Sequence, residues 1–597
     1  MKNYNKTSSV SKDKLHCYGT VFEREETVSF LSDFASRHKS KIGEYWSKMR
    51  RYYDGNHDIR KSSGEFAGSA NLPWIAAQST DGYIHVETQI QPAIPSFEFS
   101  PRDKTDYEKA KQREKIVKFI CDNNNMEFKN SRNERTLNIY GTAAYKVCWD
   151  GNLRLGSDEG DVSIQCADIK RIITDPSASD VDGCEYIGYV YPMHKNRARR
   201  VFADDFIARD EEFSSYINHR DTVSTGELIS SGNFDTDTDS VTVTEWWFRQ
   251  PTDGQCVITE YLGGIKTRRS FSWKAGDIAL SVLINGKEIR YIPKYWNNTG
   301  FDRFPFVIYS KLPNENSIWG KSELEEIIPL IDAKDRELAF AQLNSAYSSN
   351  DIILAEENAL SDGEMLDNSP GSVWKLRPGM TGKVTRLGNN AGAQSSLYAN
   401  SAYWQGLIEN TIGNFEISQG KEPSNITTAT GIALLSEKNE SRKNLKNVDR
   451  NAGFKRLFEL CDMTALEHYN DGRIIRMGVE AENEFVFNYG GFYKGSRQKR
   501  YIPSLDVTVH LGTALTNSKA FTVSALTNLM SMKITKENYV IAKAYVQTIG
   551  IPESDKICQF LDSCFEENQL SQTQLPININ ELLNENKEEQ HDKYTDN

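Results

Sequence analysis

Ser317-Ile318-Trp319-Gly320-Lys321-Ser322 opens the stretch that decides the architecture of this chain. From there to Tyr469 the sequence reads as a helix, a compact turn-rich insert, a second helix, a flexible polar loop and a very long third helix. The first helix, Glu323 to Tyr347, carries Leu324, Ile327, Ile328, Ile331, Leu338, Ala341 and Leu343 as a mostly helical stripe. Pro329 must kink or restart it, because proline removes a helix hydrogen bond. Asp351 to Gln394 is broken by Asp362-Gly363, Ser369-Pro370-Gly371 and Arg377-Pro378-Gly379, with a short strand predicted at Val373-Trp374-Lys375-Leu376. A helix returns at Leu397, Trp404, Leu407, Ile408, Thr411, Ile412 and Phe415. Asn414 to Thr430 is polar and holds Gly420 and Pro423. Gly431 to Asn470 is the long helix, stopped at Asp471-Gly472. Its middle, Ser436 to Asn447, is almost wholly polar and needs partners or ion pairs to be stable.

Chemistry is hard to place on this scaffold. Gly320-Lys321-Ser322 suggests a phosphate-binding loop, but that motif needs a glycine five residues earlier, where the chain has Glu315, and no clear strand precedes it. The triplet reads as a turn that starts a helix. Asp235-Thr236-Asp237-Thr238-Asp239 resembles the start of a calcium loop, yet Ser240 stands where glycine belongs. Trp246 stands where a bidentate glutamate is required, with Glu245 one residue off, so a solvated acidic loop is expected. The nine histidines are isolated, with no H-E-x-x-H or His/Cys cluster, and there is no G-x-S-x-G elbow. Glu325-Glu326 and Glu356-Glu357 read as solvated faces rather than acid/base pairs. No catalytic residue, metal site or cofactor is expected.

Composition narrows the class. The 597 residues allow two to four domains, and the hydrophobic content of 38% with 26% charge points to much polar surface, some of it at wet subunit interfaces. The net charge of −12 runs against a DNA-gripping surface, which is ordinarily basic. The nine cysteines, at 17, 121, 148, 166, 184, 256, 461, 558 and 564, form no C-x-x-C. An odd count without a signal peptide predicts reduced thiols in a cytosol. No run approaches the roughly twenty apolar residues that span a bilayer, so no membrane partner is expected.

Before the opening stretch, residues 1–25 read as a disordered arm. Val28 to Met49 has helical spacing and ends at the turn Tyr53-Asp54-Gly55-Asn56. Asn71-Leu72-Pro73-Trp74-Ile75 opens another segment read as helical. Helices are also predicted over Thr105 to Asp122 and Lys129 to Tyr140. Strands are predicted at Tyr145 to Trp149, Tyr186 to Tyr191, Val241 to Phe248 and Val282 to Ile289, then at Glu484 to Tyr489 and Leu505 to Leu511. Helices from Ala520 to about Phe565 and an acidic, Asn- and Gln-rich tail after Glu566 complete an α+β chain.

The order of several short motifs carries a resemblance. Tyr140-Gly141-Thr142-Ala143-Ala144-Tyr145-Lys146-Val147 leads into a strand, and Asp175-Pro176-Ser177-Ala178 comes next. Then come Glu245-Trp246-Trp247-Phe248, Arg303-Phe304-Pro305-Phe306 and the Gly-Lys-Ser helix, with Leu511-Gly512-Thr513 and Ile549-Gly550-Ile551-Pro552 near the end. From about Glu44 to about Phe565 the chain resembles a portal protein of tailed double-stranded DNA bacteriophages, the head-to-tail connector ring subunit.

That resemblance implies the portal fold: a wing (26–316), a stem helix (317–348), a small α/β clip (349–395) and a second stem helix (396–415). It implies further a tunnel loop (416–430), a long tunnel helix with wing return strands (431–512), a short helical crown (513–566) and a disordered acidic tail (567–597). It also implies a homo-oligomeric ring of about twelve copies at one capsid vertex, around a channel for double-stranded DNA held without sequence preference. An acidic tunnel would let the phosphate backbone slide. The implied partners are the large terminase, head-tail connector or adaptor proteins, and the major capsid and scaffolding proteins. The implied location is the virion, with assembly in the bacterial host cytoplasm. Lys421, Ser424, Asn425, Thr427 and Thr428 of the loop are then the DNA contacts, and Trp374, Lys375 and Arg377 of the clip dock the motor. Lys438, Arg442, Lys446 and Arg450, spaced by four, form a basic stripe that meets a neighbouring subunit, solvent or DNA. A metal-dependent nucleic-acid enzyme with scattered carboxylates, or a phage structural adaptor without a channel, are the alternatives.

Overall fold

The computed structural model describes residues 21–56, 81–155, 158–217, 240–262, 264–349, 352–356, 359, 375–380, 382–387, 391–412, 429–476, 484–488, 502 and 505–509. Two compact units divide the chain, one of Met1–Thr428 with Arg442–Val509 and one of Ala429–Ser441 with His510–Asn597. Within the second, the described residues are Ala429–Ser441, all helical. The first unit holds the other described residues.

Helices and antiparallel strands are mixed along this first unit, an α+β arrangement. Its strands are β1 (Phe97–Pro101), β2 (Thr142–Leu155), β3 (Asp158–Cys166), β4 (Ile172–Thr174), β5 (Tyr186–His194) and β6 (Ser240–Arg249). Next along the chain are β7 (Gly254–Leu262), β8 (Ile265–Trp273), β9 (Ile278–Ile284), β10 (Lys287–Ile292) and β11 (Phe306–Ser310). The last are β12 (Ile352–Ala355), β13 (Val384–Leu387), β14 (Ile474–Arg476), β15 (Glu484–Val486) and β16 (Leu505–Val509). The largest sheet has the order β10-β9-β6-β5-β4, with every pairing antiparallel.

Both faces of that sheet are buried, and the two-residue period of a strand sorts its side chains. Val243 and Trp247 of β6 join Ile187, Leu280 and Val282 in one core. Trp246 and Phe248 join Val190, Ala279 and Leu283 in another, beneath the N-terminal helix Val21–Tyr53. That helix contributes Val28, Leu31 and Ala35 to the sheet, and further along Met49 and Tyr52 to a separate core. Val28, Leu31 and Met49 each contribute about 1.5–3 kcal/mol by leaving water. Residues 21–25, read as part of a disordered arm, are helical. Helix begins at Val21, and Arg24 is buried in an ion pair with Glu288 at 2.7 Å.

A three-stranded sheet, β11-β2-β3, forms the second layer. Tyr145, Val147, Val162, Ile164, Val307 and Tyr309 pack there with Phe454, Leu457, Phe458 and Cys461 of the helix Ala429–His468. A buried Lys146–Glu245 pair at 2.6 Å ties this sheet to β6, and the Tyr191 hydroxyl donates to the same carboxylate at 2.9 Å. β1 and β16 pair although more than four hundred residues separate them, from Phe97↔Val509 to Pro101↔Leu505.

Several sequence expectations change here. The strand expected from Val282 to Ile289 is two strands, β9 and β10, joined by Asn285-Gly286. Both turn residues have positive φ, 48° and 81°, as the two-residue hairpin turn favoured by right-handed strand twist requires. Pro329 does not restart its helix, which runs from Leu324 to Ser349 as one element. The return helix starts at Ala391, ahead of the expected 396. The segment Asn71–Ile75, residues 1–20, the helices expected over 520–565 and the acidic tail lie outside the described residues.

Candidate functional site

The two glycine motifs of the sequence meet each other. Gly141 ends the helix Met126–Tyr140 by donating its N–H to Leu137 O at 2.8 Å with φ +81°, a left-handed cap that glycine adopts without strain. A Cβ there would stand 2.3 Å from the carbonyl carbon of Lys321, so the backbones touch. Gly320 is as confined, since its Cβ would lie 2.4 Å from that of Ser310 and 2.7 Å from Gly141 O.

Three successive amides at this crossing are spent on the fold. Gly320 N–H donates to Thr142 Oγ1 at 2.8 Å, Lys321 N–H to Leu312 O at 2.9 Å, and Ser322 N–H to the Tyr45 hydroxyl oxygen at 2.8 Å. Ser322 Oγ donates to Ile139 O at 2.7 Å and accepts the Leu324 N–H at 3.1 Å, which caps the following helix. An anion site needs such N–H groups turned outward, so the triplet is a structural joint. Asp175-Pro176-Ser177-Ala178 is likewise a turn, its carboxylate accepting from Ser177 N–H at 3.0 Å and Ser177 Oγ at 2.7 Å.

From the joint the chain leaves along the helix Leu324–Ser349 and returns along Ala391–Ile412, and the two pack together. Ile331 and Ile408 share a core with Leu324, Ile327 and Ile328. Lys334 Nζ donates to Asp81 at 2.7 Å and to Gln405 at 2.6 Å. Between the helices, β12 and β13 pair antiparallel from Ile352↔Leu387 to Ala355↔Val384. Lys375 is exposed there, and Arg377 is half-buried with its N–H donating to Ala359 O at 3.1 Å. Trp374 lies outside the described residues, as do Lys421, Ser424, Asn425, Thr427 and Thr428.

Lys438, Arg442 and Lys446 fall within the helix Ala429–His468. Arg450 departs from the expected stripe. Its guanidinium is buried, donates to Glu134 at 2.7 Å and lies 4.8 Å from the Phe454 ring centre, so this chain's own carboxylate occupies it. The spacing of four is real, but Arg450 belongs to the core. Sequence reasoning also missed two anchors of that helix. Asp462 receives the Arg113 Nε at 3.0 Å on both oxygens, and burial raises its carboxyl pKa against the opposing pull of Arg113. Glu467 accepts the N–H groups of Asn297, Asn298 and Thr299 and the Thr299 hydroxyl, at 2.9–3.0 Å.

The remaining candidates for chemistry are structural in their contacts. Glu245 of β6, the near miss of the calcium-loop pattern, is engaged by Lys146 of β2, while Asp235 to Asp239 lie outside the described residues. Glu325 accepts from the Tyr45 hydroxyl at 3.1 Å, and Glu356 pairs with Lys383 at 2.7 Å. Among the described residues, no three His, Cys, Asp or Glu side chains are grouped to hold a metal. Burial raises the Cys461 thiol well above its ordinary range and the Cys121 thiol to about 12, which makes both poor nucleophiles. A cleft of about 140 Å³ is lined by Lys39, Asp175, Ser317 and Trp319. Lys39 Nζ donates to Ile169 O at 2.7 Å and to Ile172 O, and burial lowers its pKa from 10.5 to about 7.

No curated protein matches the chain. Residues 85–285, about a third of the sequence, match the model of the phage P22-like portal protein family, and this supports a phage portal protein.

Proposed function

We propose, from the premise that residues 85–285 match the phage P22-like portal family, that this chain is a structural subunit of a portal ring at one capsid vertex. That match is the observation that carries the reading. It runs from the helix Asp81–Thr88 through β1 to β9, the part of the chain that builds most of both sheets. The portal family is structural rather than enzymatic, and the amides of Gly320, Lys321 and Ser322 all bond within the fold.

In this reading about twelve copies close a ring through one repeated heterologous interface. Double-stranded DNA passes through the ring during packaging and ejection, without sequence readout. The loop Lys421, Ser424, Asn425, Thr427 and Thr428 faces that DNA, with Lys438, Arg442 and Lys446 beside it or against a neighbouring subunit. Trp374, Lys375 and Arg377 meet the large terminase and later the connector, and the wing meets capsid and scaffolding proteins. No described helix is long and apolar enough to cross a membrane.

Light-scattering mass after size exclusion, with negative-stain images of the same peak, tests the reading. A ring near 0.8 MDa with a central hole is the expected result, about twelve times the 67.8 kDa chain. A compact monomer that stays monomeric on concentration overturns it. Deleting Ser424 to Thr428 is expected to leave rings intact and to impair packaging or DNA retention. Failure of those rings to form would make the loop structural instead.

A further inference from the structure

The helix Lys195–Val201 is a concentrated positive feature in an acidic chain. It carries Lys195, Arg197, Arg199 and Arg200 with no carboxylate among them. Its attachment is well defined. Ala198 is fully buried, and the Asn196 N–H donates to His194 Nδ1 at 3.1 Å to cap the first turn. Arg199 lies 4.9 Å from the ring centre of Phe213, which fixes its guanidinium at the surface.

Arg197 and Arg200 sit three apart on one face, are exposed, and have no carboxylate partner among the described residues. Neighbouring cations of the same lobe are matched: Arg209 with Glu288, Arg290 with Asp205, Lys287 with Glu211, Lys266 with Asp210. Like charges at this spacing destabilise the helix unless something neutralises them. The adjoining helix Ala203–Arg209 packs against β7, and its hairpin partner β8 adds Arg268, exposed and likewise without a carboxylate among the described residues. Forked, permanently charged donors without a counter-charge among the described residues suit phosphate oxygens, which each guanidinium can engage through two N–H groups.

We propose that Arg197 and Arg200 bind the phosphate backbone of duplex DNA on this surface, a contact separate from the 421–428 loop. This rests on the portal reading, which makes DNA the polyanion at hand. Backbone contacts of this kind carry no sequence preference and weaken steeply with salt.

The test is fluorescence anisotropy of the full-length chain with a labelled 40-base-pair duplex across a salt series, with ring mass measured on the same samples. The double variant R197E/R200E should bind about tenfold or more weakly and lower the salt slope by about two. R197K/R200K should keep most of the binding, and both variants should keep the oligomeric mass. Wild-type affinity in the charge-reversed variant, or no duplex binding by wild type at low salt, overturns the proposal. So does polyglutamate that displaces the duplex as well as unlabelled DNA does, since the surface would then be one for acidic peptides. Intact rings with any of these results refute this inference alone, whereas a monomer refutes the portal reading.

Discussion

Gly141→Ala should be far more damaging than an ordinary glycine substitution, and the geometry gives the size. A side chain at φ +81° costs about 1–2 kcal/mol for the left-handed conformation. The added Cβ would meet Lys321 C at 2.3 Å, Lys321 O at 2.4 Å and Ser322 N at 2.6 Å, all of them backbone. Ordinary contact is about 3.5–4.0 Å, so the two segments must part by about 1 Å or more. Overpacking strain of this kind costs about 1–3 kcal/mol. Parting also stretches the Gly320–Thr142 and Lys321–Leu312 bonds, each contributing about 0.5–1.5 kcal/mol. Together these come to about 3–8 kcal/mol. Gly276→Ala is the internal control, because φ is +92° there and nothing lies within 4 Å. It should lose the conformational part alone. Urea unfolding monitored by tryptophan fluorescence reads the difference, with Trp46 and Trp319 in edge contact nearby at 5.2 Å. If Gly141→Ala proves no more destabilising than Gly276→Ala, the backbone crossing is not a determinant of this fold.

Three further outcomes concern the interior. Arg113→Met should destabilise by about 3–5 kcal/mol by leaving Asp462 buried without its partner, and the double variant R113M/D462L should recover most of the loss in the same unfolding assay. Glu467→Gln removes acceptor capacity from the cluster at 297–299, and hydrogen exchange should quicken at the Asn297, Asn298 and Thr299 amides while β5 and β6 stay protected. Lys39 binds its proton less well folded than unfolded, so between pH about 7 and 10.5 the unfolded state holds more protons and stability from this group rises with pH. Below about 7 the penalty is present in full. The stability difference between wild type and Lys39→Gln, measured over that window, should change by a few kcal/mol, and a flat difference would refute the assignment.

Local chemistry was the legible part of this chain. Gly141 after a run of helix formers marked the end of Met126–Tyr140, and the apolar strand runs marked β5 and β6. Asn285-Gly286 carried an equally clear turn signal, but apolar residues on both sides hid it inside one apparent strand. The long-range contacts left no local trace. Arg450 keeps the spacing of Lys438, Arg442 and Lys446, and its burial depends on Glu134, more than three hundred residues earlier. Pairing of β1 with β16 is remote in the same way. Both glycine motifs could be quoted from the sequence, yet their contact with each other depends on how β2, β11 and the N-terminal helix converge. As for the expected site, its loop of 416–430 lies outside the described residues up to 428, Ala429 and Thr430 open the long helix instead, and the expected stripe lost Arg450 to the core.

The joint at Gly320 to Ser322 has a mechanical consequence. Its three amides fasten to β2, to Leu312 and to the N-terminal helix, three separate parts of the body. A lever rooted that way cannot swivel at its base without breaking all three attachments together. Pro329, seven residues on, withholds one hydrogen bond from the first turns of the helix beyond. Tyr52 donates to Asp332 at 2.8 Å and Lys334 to Asp81 at 2.7 Å, so the helix stays fastened to the body beyond Pro329, and a load on it would pass into the body through several attachments at once.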